Sequence, residues 1–345
     1  MVVLVREAGI RREKRILTEF LSRYLSSDAD ERRYEWLYCG NPDGEGLAWL
    51  ATTSDSDAII GVAAAFPRRM YCAGEQVRSF VLGDFCIHPD YRSLGPALAL
   101  QKACLKGLEA TGAEFGFDFP SDAMLGIYKR LRIETRQKMI RYAKPLQLAK
   151  KISERLGPGV VSRGLAVAAD LGLRMRDGMR RRPNNWTFTI EHGPWDEELT
   201  CATQRWSSNI GLCVARTSHY LNWRYAAHPQ RKYEILFAWQ SRKRCGYLIY
   251  RQDGPNGVIV DLLGENDEVC KALLVEMIDL ARIKNLETLS APWNSSHAGK
   301  ALLEDCGFRA RETRTLVLLP LTRATSRQIA RAMDDWYVTD GDRES

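Results

Sequence analysis

One pattern occurs twice in this chain of 345 residues. Glu35-Trp36-Leu37-Tyr38-Cys39-Gly40-Asn41-Pro42 returns as Asn222-Trp223-Arg224-Tyr225-Ala226-Ala227-His228-Pro229, with Trp, Tyr and Pro at identical spacing. The signals that follow each copy come in the same order. An apolar run through a glycine (59–66 and 245–250) precedes a second run that ends at Asp84 or Asp261. A segment of helical period (97–109; 268–282), a strand (113–119; 286–291), a short helix (122–131; 298–305) and a last strand (138–143; 313–319) complete each set. A repeat on this scale constrains the architecture before any single element is decided. It predicts two similar α/β (α+β) domains, at 1–145 and 186–322, joined by a helical linker at 146–185 and followed by a tail at 323–345. The Trp36/Tyr38 and Trp223/Tyr225 pairs are expected to anchor the core of each copy.

The net charge of +7 sits in one place. Residues 144–182 hold ten basic and three acidic residues, and the rest of the chain balances at forty of each. A polyanion partner would therefore be met locally, and no interleaving of aromatic and basic residues supports nucleic-acid binding. Helical period in 146–182 puts Val161, Leu165, Ala168, Leu171, Met175 and Met179 on one face, and the segment is expected to be a docked or partly mobile bridge. Arg163, Asp170, Arg174, Asp177 and Arg181 fall on the opposite, solvated face. Such a basic amphipathic segment also suits a weak contact with an anionic membrane surface. The nine cysteines are odd in number, scattered and never in a Cys-x-x-Cys pair, and the five histidines lack ligand spacing. Neither a disulfide framework nor a metal site is expected. No apolar run has the length of a signal peptide or a spanning helix, so a cytoplasmic location is expected, peripheral to the inner membrane face at most.

The chemistry is concentrated in Phe80-Val81-Leu82-Gly83-Asp84-Phe85-Cys86-Ile87-His88-Pro89-Asp90-Tyr91-Arg92-Ser93-Leu94-Gly95-Pro96-Ala97. A strand that turns through Arg-x-x-Gly-x-Ala into a helix offers free backbone N–H groups at the positive helix end, an arrangement suited to a pyrophosphate. Gly95 allows close approach, small Ala97 keeps the first turn clear and Arg92 adds charge. This stretch resembles the acyl-CoA-binding motif of the GCN5-related N-acetyltransferase (GNAT) superfamily, V-x-P-x-Y-R-x-x-G-x-G/A. Residues 120–133 resemble that family's later helix, N-x-x-A-x-x-L-Y-x-K-x-G-F, and Cys306-Gly307-Phe308 retains its ending in the second copy. The resemblance covers about 30–145 and 200–320. It implies a tandem GNAT architecture, each domain a mixed, mostly antiparallel sheet flanked by helices, like that of peptidyl-bridge-forming (Fem-like) transferases and of acyltransferases found with bacterial polysaccharide-synthesis genes.

By that resemblance the co-substrate is acetyl-CoA or another acyl-CoA. Phe85, Cys86 and Ile87 would line its pantetheine arm, and Arg92, Ser93, Leu94, Gly95 and Ala97 its pyrophosphate. Tyr128 matches the tyrosine that protonates the leaving thiolate, and Asp84 stands near the family's carboxylate base, with Asp118 a second candidate. Tyr128 is equally readable as a residue that packs the helix onto the sheet, and Asp84 as an aspartate that bonds nearby backbone, a reading that Asp261 at the equivalent point of the second copy favours. Cys86 reads as small and buried, and His88 as an exposed turn residue. Pro96 removes one N–H from the loop, Arg132-Ile133 replaces Gly-Phe, and Ser121 replaces Asn. In the second copy Asp261-Leu262-Leu263-Gly264-Glu265-Asn266-Asp267 stands at the phosphate loop without an arginine, so only the first copy is expected to bind CoA. The expected activity is N-acylation of an amine, on a small molecule, a sugar or a polysaccharide precursor. A Fem-like aminoacyl transfer or a non-catalytic scaffold is the alternative. The tail, with Trp336 and Tyr337 among carboxylates, either closes a cleft between the domains or docks as a terminus.

Overall fold

The computed structural model describes residues 2–135, 137–148, 152, 157, 159–178, 186–297, 299–321, 329 and 331–344. The first half supplies β1 (Val3–Glu7), β2 (Leu47–Thr53), β3 (Ser56–Cys72), β4 (Glu75–Ile87), β5 (Phe115–Asp118) and β6 (Gln137–Pro145). The second supplies β7 (Thr187–Glu191), β8 (Leu212–Val214), β9 (Glu234–Gln240), β10 (Lys243–Asp253), β11 (Asn256–Gly264), β12 (Thr288–Asn294), β13 (Arg309–Pro320) and β14 (Trp336–Tyr337). The longer helices are α1 (Lys14–Tyr24), α2 (Leu94–Ala110), α3 (Asp122–Arg130), α4 (Val160–Gly178), α5 (Glu197–Ser207) and α6 (Asp267–Ile283). The strands run in one path, β1-β2-β3-β4-β5-β13-β6-β12-β11-β10-β9-β7, with β8 and β14 attached beside β3. Pairing is antiparallel except at β4–β5, β11–β12 and β8–β14.

The path crosses between halves in the middle. β13 pairs with β5 through 317–320 and with β6 through 309–316, while β6 also pairs with β12. Each half therefore lends its last long strand to the sheet of the other. The repeated sequence motif meets itself in the same reciprocal way. Glu35–Cys39 and Asn222–Ala226 are both single π-helical turns. Trp36 Nε1 donates to the Trp223 carbonyl at 2.8 Å, Trp223 Nε1 donates to the Trp36 carbonyl at 2.8 Å, and the rings stack 4.7 Å apart. A buried core that includes both pairs, Trp36/Tyr38 and Trp223/Tyr225, is thus shared by the halves. Separate cores lie under α2 and α6. Leu100, Cys104 and Leu108 bury one stripe of α2. A Cβ at Gly107 would come within 2.5 Å of the Trp49 ring, so only glycine lets this helix lie so close to the sheet.

α4 docks by its acidic residues and not by its apolar face. Leu165, Val167, Leu171 and Met175 are about half exposed or more, at 49%, 69%, 56% and 63%. The acidic residues turn inward instead. Asp170 accepts from the Leu148 N–H at 2.7 Å, and buried Asp177 accepts from fully buried Lys144 at 2.7 Å and from Arg282. Burial would raise the Asp177 carboxyl, yet the two cations hold it below its ordinary pKa. Lys144, fully buried on β6, and the partly buried Arg282 of α6 need a counter-charge more than that surface needs further apolar cover, so polar contacts set which face docks. The side chains of Val161 and Met179 lie outside the described residues. No helix of the described residues is long and apolar enough to cross a membrane.

Candidate active site

Two local events open a cleft beside β4. Parallel pairing of β4 with β5 runs only from Ser79/Phe115 to Val81/Phe117, after which the strands separate. Two residues later the register against β3 shifts, so that the β4 segment between Gly83 and Cys86 carries one extra residue. Asp84 at this bulge adopts φ +47°, in the left-handed region that is unusual for a non-glycine residue. The backbone of 82–87 is thereby held on one side by β3 and left open towards β5. The cleft has a volume of about 780 Å³. Phe85, Cys86, Ile87, Arg92, Ser93, Leu94 and Ala97 line it, and Gly95 sits between them at the start of α2. The expected cofactor-binding residues are therefore brought together.

The start of α2 is left open. Ser93 makes no side-chain cap bond and no acidic residue lies in the first turn. By helix geometry the Leu94 and Gly95 amides have no acceptor one turn back, and Pro96 has no N–H to satisfy. A Cβ at Gly95 would meet nothing within 4 Å, leaving that surface free for a ligand. Arg92 Nε donates to the Ile87 carbonyl at 3.1 Å, which fixes the guanidinium at the same mouth. Deeper in, Gln101 is 1% exposed, lines the cleft and leaves its Nε2 without a partner. Burial pushes the Cys86 thiol up to about 11, which removes it as a nucleophile near neutrality. His88 Nδ1 accepts from the Asp90 N–H at 3.3 Å within its turn.

Three carboxylates reach this cleft, in different states. Asp84 is 6% exposed and held by Arg33 through two hydrogen bonds, at 2.7 and 2.9 Å, while Tyr38 donates to it at 2.8 Å. Burial alone would lower the Arg33 guanidinium, but the Asp84 charge holds its pKa above the ordinary value. Both Asp84 oxygens are engaged by these contacts. Asp118, 8% exposed, is pushed up to about 7 by burial, against the hydrogen bond it accepts from Tyr128 at 2.6 Å. Tyr128 is fully buried and faces Asp118 instead of lining the cleft, and burial raises its phenol well above the usual range. The third carboxylate, Glu344, comes from the tail. It packs on Gly83, where a Cβ would come within 2.5 Å of its side chain, and its Oε2 is buried without a partner. Glu344 and Gln101 carry no motif that sequence reading could detect. Only the fold brings them to β4.

In the second half the equivalent opening is filled. β11 and β12 also pair only from Asn256/Thr288 to Val258/Ser290 and then part, and β11 also carries a register shift before Asp261. Here the tail enters the gap. Tyr337 OH bonds the Leu262 N–H and carbonyl, at 3.0 and 2.5 Å, Val338 accepts from Asn294, and Thr339 bridges Trp293. Asp261 is closed off by Arg216 at 3.0 Å and Tyr337 at 2.7 Å, and Arg216 also holds Asp342. The start of α6 is capped by Asn266, which accepts from the Val269 N–H, and carries Asp267 and Glu268 in its first turn. The same chain segment that plugs one opening delivers Glu344 to the other, so the tail both docks and lines a cleft. No cluster of three or more His, Cys, Asp or Glu that could hold a metal ion occurs among the described residues.

Residues 20–134 match the family described as the acetyltransferase (GNAT) domain. No curated protein matches. Among solved structures, a probable N-acyltransferase from Enterococcus faecalis V583 is 13% identical with a TM-score of 0.65, over 93% of this chain and 73% of that one. A GCN5-related N-acetyltransferase from Anabaena variabilis is 13% identical with a TM-score of 0.67, at the same coverages. Saccharomyces cerevisiae N-myristoyltransferase with bound myristoyl-CoA is 13% identical with a TM-score of 0.56, over 92% of this chain and 82% of that one. At such identities the likeness is one of fold.

Proposed function

From a chain whose residues 20–134 belong to the GNAT acetyltransferase domain family, we propose an acyl-CoA-dependent N-acyltransferase in which the first half binds the thioester and an amine is acylated between the halves. One observation carries this reading. The two halves open the same strand pair, but the tail enters the opening beside β11 while the one beside β4 is left as a cleft, and of the two helices that follow these strands α2 starts uncapped with Arg92 beside it whereas α6 is capped by Asn266. A GNAT acyltransferase takes its acyl group from acyl-CoA, here acetyl-CoA or a longer thioester. The pyrophosphate lies against the Leu94 and Gly95 amides and Arg92, and the pantetheine arm runs along the free backbone of 85–87. An N–H of that edge faces the oxygen on which charge develops.

Glu344 Oε2, buried and unpartnered, takes the proton from the amine as its nitrogen attacks the carbonyl carbon. Collapse of the tetrahedral species breaks the C–S bond, and the thiolate receives a proton from Asp118, which is partly protonated near neutral pH and oriented by Tyr128. Glu344 then holds the proton from nitrogen and Asp118 has given one to sulfur, and exchange with solvent restores both carboxyls for the next turnover. Asp84 keeps the bulge in shape through Arg33 and Tyr38. The test is calorimetry with acetyl-CoA. Binding is expected, and Arg92→Glu with Gly95→Asp should abolish it; binding unaffected by the pair would displace the site from this loop.

We further propose that the outward apolar face of α4 rests on an anionic membrane surface. The basic excess of 144–182 and the exposed Leu165, Leu171 and Met175 support this contact.

A further inference from the structure

Where the two halves meet, a second cavity of about 390 Å³ opens off the cleft. Phe119, Pro120, Arg314 and Arg343 belong to the walls of both, so a molecule in the smaller cavity reaches the thioester end of the larger one. Its charged lining is not balanced. Arg141 is paired with Glu312 at 2.9 Å, and Arg251 with Asp340 at 2.8 Å. Arg314 and Arg343 make no salt bridge among the described residues, although the Arg343 charge is felt by Asp340 and Asp118 and the Arg314 charge by Glu312, and Arg343 lies 5.0 Å from the centroid of the Phe119 ring. Two such guanidiniums on a concave wall, next to an apolar side formed by Met139, Val258 and Pro292, are complementary to one anionic group on a partly apolar body.

We propose that the acceptor is a small amine that carries an anionic oxygen group, a carboxylate or a phosphate, held by Arg314 and Arg343 while the amine faces Glu344. The inference rests on the acyltransferase reading and narrows its substrate class. The geometry gives each charge a separate role. Arg314, on β13, belongs to the strand that the second half inserts into the first, and Arg343 precedes Glu344 on the tail. An anion bound by both would fix the tail against β13 and set the Glu344 carboxylate over Gly83. Charge recognition and proton removal are then coupled through one residue-to-residue step, and an uncharged amine of equal size would lose both benefits.

The experiment compares matched acceptors by thiol release at saturating acetyl-CoA: phenylalanine against 2-phenylethylamine, and glucosamine 6-phosphate against glucosamine. The anionic member of at least one pair is expected to exceed its neutral partner in kcat/KM by about tenfold or more, the size of one lost charge-assisted contact. Which pair responds tells carboxylate from phosphate. Arg314→Ala, alone and with Arg343→Ala, should bring the members of that pair together while the acetyl-CoA affinity by calorimetry stays within about threefold of the wild-type value. Equal use of charged and neutral amines overturns the inference. So does a loss of acetyl-CoA affinity as large as the loss of preference, because the arginines would then serve the CoA. If none of the four is turned over, thermal shift of the acetyl-CoA-loaded protein reads binding directly; stabilisation by an anionic member that both variants lose supports the inference, and its absence overturns it. Failure of acetyl-CoA to bind at all is a different outcome and removes the acyltransferase reading itself.

Discussion

At the scale of single residues, the cleft separates carboxylates that share a chemical type but not an environment. Asp84 is engaged through both oxygens, Asp118 is protonated up to about 7, and Glu344 presents an unpartnered oxygen. Glu344→Gln is expected to lower kcat by about 10²-fold, in the range for loss of a general base, with little change in acetyl-CoA affinity; an equal loss in both would make it a packing residue. Asp118 also predicts a pH dependence. Its pKa is raised on folding from 3.8 to about 7. The native state therefore holds a proton that the unfolded chain releases, and stability attributable to this group falls as pH rises between those values. Asp118→Asn should consequently gain in urea midpoint relative to wild type at pH 8 compared with pH 4, and a constant difference would show that Asp118 titrates normally. The anion-binding loop was legible in the sequence because its parts are consecutive, from Arg92 to Ala97. Arg33 with Asp84, and Glu344 with Gly83, were not, because each pair is assembled from distant segments and neither has a spacing to read.

At the scale of elements, periodicity identified both central βαβ units, but neither the edge strands β1 and β7, whose exposed faces dilute the pattern, nor the buried strands β2 and β9 and the helices α1 and α5. α4 illustrates a different limit. Its helical period was readable, but which face docks depended on buried Lys144 and on Arg282, outside the helix. A helix anchored by its acids leaves its apolar residues outward, and the proposed membrane contact follows from that inversion. Flotation with vesicles containing anionic lipid is expected to recover the wild-type chain, and Leu171→Glu with Met175→Glu should reduce recovery several-fold without moving the unfolding midpoint by more than about 1 kcal/mol, since both positions are exposed. Equal recovery of both proteins would dismiss the contact.

At the scale of the molecule, the sequence repeat matches the order of elements but not their exchange. The repeat predicted two similar units, each with its own last strand. In the fold those strands, β6 and β13, lie side by side, and each completes the sheet of the other half. The stacked Trp36 and Trp223, and pairing of β8 with β3, tie the same units together. Removing either half would expose a sheet edge at β5 or β12 and a shared aromatic core, both sources of aggregation. The halves should therefore unfold as one cooperative unit despite their size. Tryptophan fluorescence and far-ultraviolet circular dichroism are expected to give superimposable urea transitions, and residues 1–145 expressed alone should be insoluble or lack a cooperative transition. Co-expression with residues 159–345 should restore a soluble pair that co-purifies, because the exchanged strands need proximity and not covalent connection. Two resolved transitions, or a separately folded first half that binds acetyl-CoA, would mean that the exchange is dispensable and that each unit can satisfy its own edge.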